Sequence, residues 1–173
     1  LIFLSFFKKN IINKEYIMST VNSTAPSFTM KNTKKEDISL SDFKGKPVVL
    51  AFYPGAFTGV CDTEMCKLKE DMEIFNDLNT TVIGISVDSP WANGAFADKY
   101  NLNFELLSDL DRSVTKAYDF IFEGLGGIEG YTCANRGIII IDSEGIIRYR
   151  WIAEPNPGVE PNYEEIKEFL KNI

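Results

Sequence analysis

Three segments of this chain are apolar almost without interruption, and each has the length of a strand: Pro47–Tyr53 (PVVLAFY), Thr81–Asp88 (TVIGISVD) and Gly137–Asp142 (GIIIID). A strand with one face in water alternates apolar and polar residues, so unbroken runs of this kind belong to strands covered on both faces. Helical patterns separate them. Cys61, Met65, Leu68, Met72 and Phe75 recur at steps of four and three, one face of a single helix. Pro90 in a first-turn position opens another, with Trp91, Ala95 and Tyr100. Asn162 caps a last helix whose Ile166, Phe169, Leu170 and Ile173 form one stripe. SFTMKN and DISLSDF read as a short hairpin, Phe104–Ser108 as a further short strand, and Ile146–Ile152 as the return strand of a hairpin with Gly137–Asp142. Strands alternating with helices and closing on a hairpin predict an α/β fold, a central mixed sheet flanked by helices.

The chain contains no histidine among its 173 residues. That removes Ser–His–Asp triads, Cys–His pairs, His-containing zinc sites and His-ligated haem. Three cysteines, Cys61, Cys66 and Cys133, are one ligand short of a four-thiolate zinc site, and they do not form the even framework of a small secreted domain. Thiols in a reducing compartment are the reading that remains, and a cytoplasmic location is expected. The net charge of −7 argues against nucleic acid as a partner, and no apolar run reaches the roughly 18 residues that span a bilayer. Gly124–Gly130 lacks the Lys-Ser/Thr of a phosphate loop and reads as a mobile surface loop. Residues 1–17, LIFLSFFKKNIINKEYI, precede Met18 and are expected to be a disordered or non-native tail rather than an added helix. Residues 18–173 form a single domain on this reading.

The stretch Phe52–Cys66, FYPGAFTGVCDTEMC, follows the first buried strand directly. Pro54, Gly55 and Gly59 bend the chain, and the apolar stripe then places Cys61 in the first turn of a helix with Thr58 at the cap. Unpaired N–H groups and the helix dipole favour an anion there, which predicts a thiol lowered toward neutrality. A small buried hydrophobe is the competing reading of Cys61.

Pro54-x-x-x-Thr58-x-x-Cys61 resembles the active-site motif of the peroxiredoxins. Ala134-Asn-Arg136-Gly, followed by Ile138–Ile141 and 75 residues beyond Cys61, is similar to the strand that carries that family's arginine. The resemblance runs from about Thr24 to Ile173 and implies a thioredoxin-like fold. The C-x4-C spacing resembles the bacterioferritin-comigratory or Q-type group, with some likeness to the one-cysteine AhpE-like group. The roles it implies are specific. Cys61 would attack the peroxide and become a sulfenic acid. Thr58 would hold its hydroxyl beside the sulfur, and Pro54 would wall the pocket. Arg136 would stabilise the thiolate and the charge that develops as the O–O bond breaks. Glu64 would either orient Arg136 or serve only as a favourable acid early in the helix. Cys66 would resolve the sulfenic acid as a disulfide. Five residues along a helix give about 7.5 Å of rise and 140° of rotation, and disulfide Cα separations rarely exceed about 6.8 Å. Closing that disulfide therefore requires the segment to unwind. The alternatives are a one-cysteine enzyme with an external thiol, or Cys133 as a second resolving thiol, although Cys133 reads first as a small core residue.

The implied activity is reduction of hydrogen peroxide and small alkyl hydroperoxides, with recycling by thioredoxin or a thioredoxin-like disulfide oxidoreductase. No metal, haem or flavin is implied, and both a monomer and a homodimer fit. A dithiol oxidoreductase would more usually carry C-x-x-C. A client-binding holdase has no support beyond the versatility of the fold.

Overall fold

The computed structural model describes residues 20–173, so the expectation for residues 1–17 lies outside the described residues. Nine strands and five α-helices follow one another as β1 (Thr29–Asn32), β2 (Asp37–Ser39), β3 (Val48–Phe52), α1 (Gly59–Glu70), α2 (Met72–Asp77), β4 (Thr81–Ser86), α3 (Pro90–Tyr100), β5 (Glu105–Ser108), α4 (Ser113–Ala117), β6 (Ile121–Glu123), β7 (Thr132–Ala134), β8 (Gly137–Ile141), β9 (Ile147–Ile152) and α5 (Tyr163–Leu170). Seven of the strands form one mixed sheet in the order β2-β1-β5-β4-β3-β8-β9. The β3–β4 and β4–β5 pairs are parallel, whereas β3–β8 and β8–β9 are antiparallel.

The unbroken apolar runs are explained by this order. On β3, Val48, Leu50 and Phe52 enter a core on one face with Ile83, Ile85, Tyr118, Phe120 and Ile139. Val49, Ala51 and Tyr53 enter a second core on the other face, with Cys61, Met65, Leu68, Phe75, Phe96 and Ile166. Helices α1, α2, α3 and α5 cover that second face. The first is covered by α4, the N-terminal segment around Phe28 and the aromatic side chains of Tyr118 and Phe120. Gly84 leaves room for a side chain of the neighbouring strand: a Cβ there would lie 2.5 Å from Leu106 Cδ2 of β5.

Three helical expectations need correction. The stripe from Cys61 to Phe75 is shared by two helices, with a bend at Asp71 (φ −87°, ψ 2°). There the carboxylate accepts a bond from Lys167 Nζ of α5 at 3.0 Å, and Met72 and Phe75 stay buried beyond the bend. On α3, Trp91 is 70% exposed, and Ala95 also faces solvent. The buried positions are Pro90, Asn93 and Phe96, and a polar residue on the inward face hid the true register. Helix α5 ends at Leu170, so Ile173 lies outside the stripe. The sequence also gave no sign of the β6–β7 hairpin, whose strands are three residues each.

Candidate active site

The site forms where β3 ends. Tyr53 N still donates to Ile85 O at 3.0 Å, and Pro54 then turns the chain away from the sheet. The turn is fixed from two sides: Ala56 N donates to Asp88 Oδ2 at 2.7 Å, and Thr58 Oγ1 donates to Gly55 O at 3.0 Å. Phe57 takes φ 62°, a left-handed conformation that a non-glycine residue holds only when its surroundings enforce it. Thr58 stands at the N-cap position of α1, as expected, but its hydroxyl accepts no capping bond and donates to Gly55 O.

Cys61 is fully buried in the first turn of α1. Arg136, two residues past the end of β7 and just before β8, is the largest fully buried side chain, and all three of its donor groups are engaged. Its Nη2 donates to Cys61 Sγ at 3.2 Å, its Nε to Pro157 O at 2.9 Å, and its Nη1 to Glu64 Oε2. Glu64 is itself fully buried, so it is no solvated first-turn acid; it is ion-paired with the same guanidinium that bonds the sulfur. Its other oxygen, Oε1, has no partner among the described residues. Phe120 occupies the space that a Cβ on Gly137 would need, and it stacks on Phe52 with centroids 4.7 Å apart.

The electrostatics correct one expectation. Burial pushes the Cys61 thiol above its ordinary value, against the opposing pull of the Arg136 guanidinium, the Thr58 hydroxyl and the Gly55 N–H. The helix start that favours the anion also places it where water does not reach. Burial raises the Glu64 carboxyl to about 7, with Arg136 acting against it. One buried cation thus faces two groups that can each become an anion.

Pro54, Thr58 and Arg136 border a cavity of 430 Å³, closed by Val60, Phe122, Leu125 and the Asn156–Gly158 turn. Gly124 and Gly126 also line it, so the glycine segment, an exposed surface loop at the tip of the β6–β7 hairpin, also forms one wall of the site. A larger groove of 690 Å³ lies at the opposite strand ends, among Asn76, Asn101 and Glu105, and holds none of the site residues. Cys66 is half-buried on α1, and Cys133 is fully buried on β7; both are free thiols. Cys61 and Cys66 share the intact α1, the geometry in which they cannot bond. Sequence reasoning missed Asp88, Phe120 and the Pro157 carbonyl. The first is remote in sequence, the second reads as ordinary core, and the third acts through its backbone.

Comparison with known proteins agrees with this geometry. A model of the AhpC/TSA family matches residues 21–150. The chain is 34% identical over 161 residues to a chloroplastic peroxiredoxin Q of Sedum lineare, covering 93% of this chain and 83% of that one. It is 35% identical over 133 residues to peroxiredoxin Bcp of Bacillus subtilis, covering 76% and 83%. The crystal structure of a reduced 2-Cys peroxiredoxin of Plasmodium vivax superposes with a TM-score of 0.77 at 28% identity, covering 87% of this chain and 80% of that one.

Proposed function

Because the chain belongs to the AhpC/TSA family and is therefore a thiol peroxidase with a thioredoxin-like fold, we propose that it reduces hydrogen peroxide and small alkyl hydroperoxides at Cys61. The observation that carries this reading is the buried Arg136, which spans Cys61 Sγ at 3.2 Å and the Glu64 carboxylate. A guanidinium fixed on three sides cannot move away when charge develops, so it stabilises the transition state without reorganising. The Cys61 thiolate attacks the terminal peroxide oxygen, the O–O bond breaks, and the departing oxygen leaves as water or an alcohol once protonated. Cys61 becomes a sulfenic acid. Thr58 orients the peroxide, and Pro54 and Val60 keep bulk water off the sulfur. Glu64 competes with the thiolate for Arg136; when the carboxyl holds a proton, the guanidinium's charge is available to the sulfur.

Cys66 then resolves the sulfenic acid: its thiol displaces the hydroxyl, water leaves, and a Cys61–Cys66 disulfide forms. Helix α1 must unwind between the two residues for this to occur. A dithiol of the thioredoxin type returns the disulfide to two thiols. The reducing compartment that three free cysteines call for is met in the cytoplasm, and among the described residues no helix is long and apolar enough to cross a membrane.

The test is intact and peptide mass after one equivalent of hydrogen peroxide without reductant. Loss of two hydrogens with Cys61 joined to Cys66 is expected, together with lost amide protection across residues 60–68. One added oxygen on Cys61 with Cys66 free would assign the one-cysteine cycle and an external thiol. No rapid change at Cys61 would overturn the peroxidase chemistry at this site.

A further inference from the structure

The helix that must unwind is held on both of its sides between the two cysteines. On the inner side Glu64 is bound to Arg136. On the outer side Asp62 Oδ2 accepts a hydrogen bond from Tyr100 Oη at 2.6 Å, across to the last residue of α3. Residues four apart share a helix face, so Asp62 and Cys66 both lie on the side of α1 that meets α3. The same junction is bonded a second time, by Lys69 Nζ to Tyr100 O at 2.9 Å. The Tyr100 ring is itself fixed, edge-on to Phe96 with centroids 5.2 Å apart and with Lys99 Nζ 5.3 Å from its centroid. Two carboxylate oxygens of this segment, Asp62 Oδ1 and Glu64 Oε1, are buried without a partner among the described residues. Such atoms are costly in the folded helix, and their cost is relieved when it opens.

The inner contact belongs to the chemistry, because Arg136 also touches the sulfur. The outer contact touches no reacting atom. We infer that the Tyr100–Asp62 hydrogen bond is a latch that positions α1 after Cys61 has been oxidised. Resting on the proposed Cys61–Cys66 cycle, it divides the sulfenic acid between two fates. With the latch closed, Cys61 stays in its pocket, where a second peroxide converts the sulfenic acid to a sulfinic acid and releases water or alcohol. With the latch open, Cys66 reaches Cys61, the disulfide forms and water leaves. Tyr100 is thus a positioning residue for the second step alone. The Asp62 carboxylate raises the Tyr100 phenol above its ordinary value, as does the nearby Cys66, which agrees with a phenol that keeps its proton and donates.

Tyr100→Phe removes the hydroxyl and leaves the ring packing. The experiment is quenched-flow mass spectrometry of the full chain with hydrogen peroxide, following sulfenic acid, disulfide and sulfinic acid separately. Disulfide formation is expected to quicken by roughly tenfold to a hundredfold, the scale of one hydrogen bond to a charged group. The sulfinic fraction at high peroxide is expected to fall in proportion, while the second-order rate of sulfenic acid formation stays within a factor of about two. Asp62→Asn, which keeps a weaker acceptor, should fall between the two proteins. An unchanged disulfide rate would overturn the latch, and so would both steps shifting together, which marks a structural role for the hydroxyl. If the unsubstituted protein forms no Cys61–Cys66 disulfide, the proposed cycle fails and takes the latch with it, a result read before any variant is made.

Discussion

Two polar clusters are buried side by side at the same end of the sheet, and they are built from opposite materials. Arg136, Glu64 and Cys61 form a charged cluster with one unpartnered carboxylate oxygen. In the other, Tyr53 Oη donates to Asn93 Oδ1 at 2.7 Å, Ser86 Oγ donates to the same oxygen at 3.1 Å, and Asn93 Nδ2 donates to Ser108 Oγ at 3.1 Å. This second cluster is made of neutral side chains, reaches the Asp88 carboxylate through Ser86 Oγ at 3.4 Å, and ties the ends of β3, β4 and β5 to α3. A satisfied neutral network rigidifies the core around it. A buried charged pair adds little net stability but responds strongly to any change in its charges. The neutral cluster fixes where β3 ends, and the charged one uses that fixed end for chemistry.

Substitutions should separate the two. Arg136→Lys keeps a cation but cannot bond the sulfur, Glu64 and Pro157 O together; kcat/KM for peroxide should fall roughly a hundredfold, read by stopped-flow peroxide consumption. Asn93→Ala should do the reverse. It removes the partner of the buried Tyr53 and Ser108 hydroxyls, while Ser86 keeps Asp88, and should cost about 3 kcal/mol in urea unfolding, while sulfenic acid formation in the folded protein stays close to normal. If Asn93→Ala slowed Cys61 oxidation as much as Arg136→Lys does, the division of labour would be wrong.

A pH experiment sharpens the same contrast. Because the Glu64 carboxyl is raised from 4.5 to about 7 in the folded protein, the stability it contributes is fully present below about 4.5 and is lost as pH rises through about 7. Glu64→Gln should remove that slope, worth at most about 3 kcal/mol, in thermal unfolding followed from pH 5 to 8. It should also lower the titration midpoint of the Cys61 thiolate, since the guanidinium then serves one anion instead of two. Asn93→Ala should leave the slope intact. The smallest effect concerns the thiol outside the charged cluster. Burial raises Cys133 to about 11, so iodoacetamide at pH 8 should leave it unmodified in the native protein while Cys66 is alkylated, read by peptide mass. Labelling of Cys133 at the rate of Cys66 would show that β7 opens readily and that Cys133 could take part in resolution.

Much of this was legible in the chain. The runs around Leu50, Ile83 and Ile139 are apolar on both faces because β3, β4 and β8 are covered on both faces, and the pattern allowed no other placement. The spacing from Pro54 to Cys61 placed the thiol in a first helical turn, and the motif around Arg136 marked the partner. What the sequence determined, then, is what local pattern can encode: which segments are strands, which thiol heads a helix, and which guanidinium is available. The tertiary structure alone decided the rest, because each remaining feature depends on groups distant in the chain. Glu64 became Arg136's partner and not a solvated acid only once α1 was laid against β8. The Cys61 thiol rose instead of falling because burial on the core side outweighed the pull of Arg136, Thr58 and the Gly55 N–H. Asn93, Trp91 and the Pro157 carbonyl took roles that periodicity could not show, since burial and hydrogen bonding there are set by neighbouring elements and not by the residues beside them in sequence.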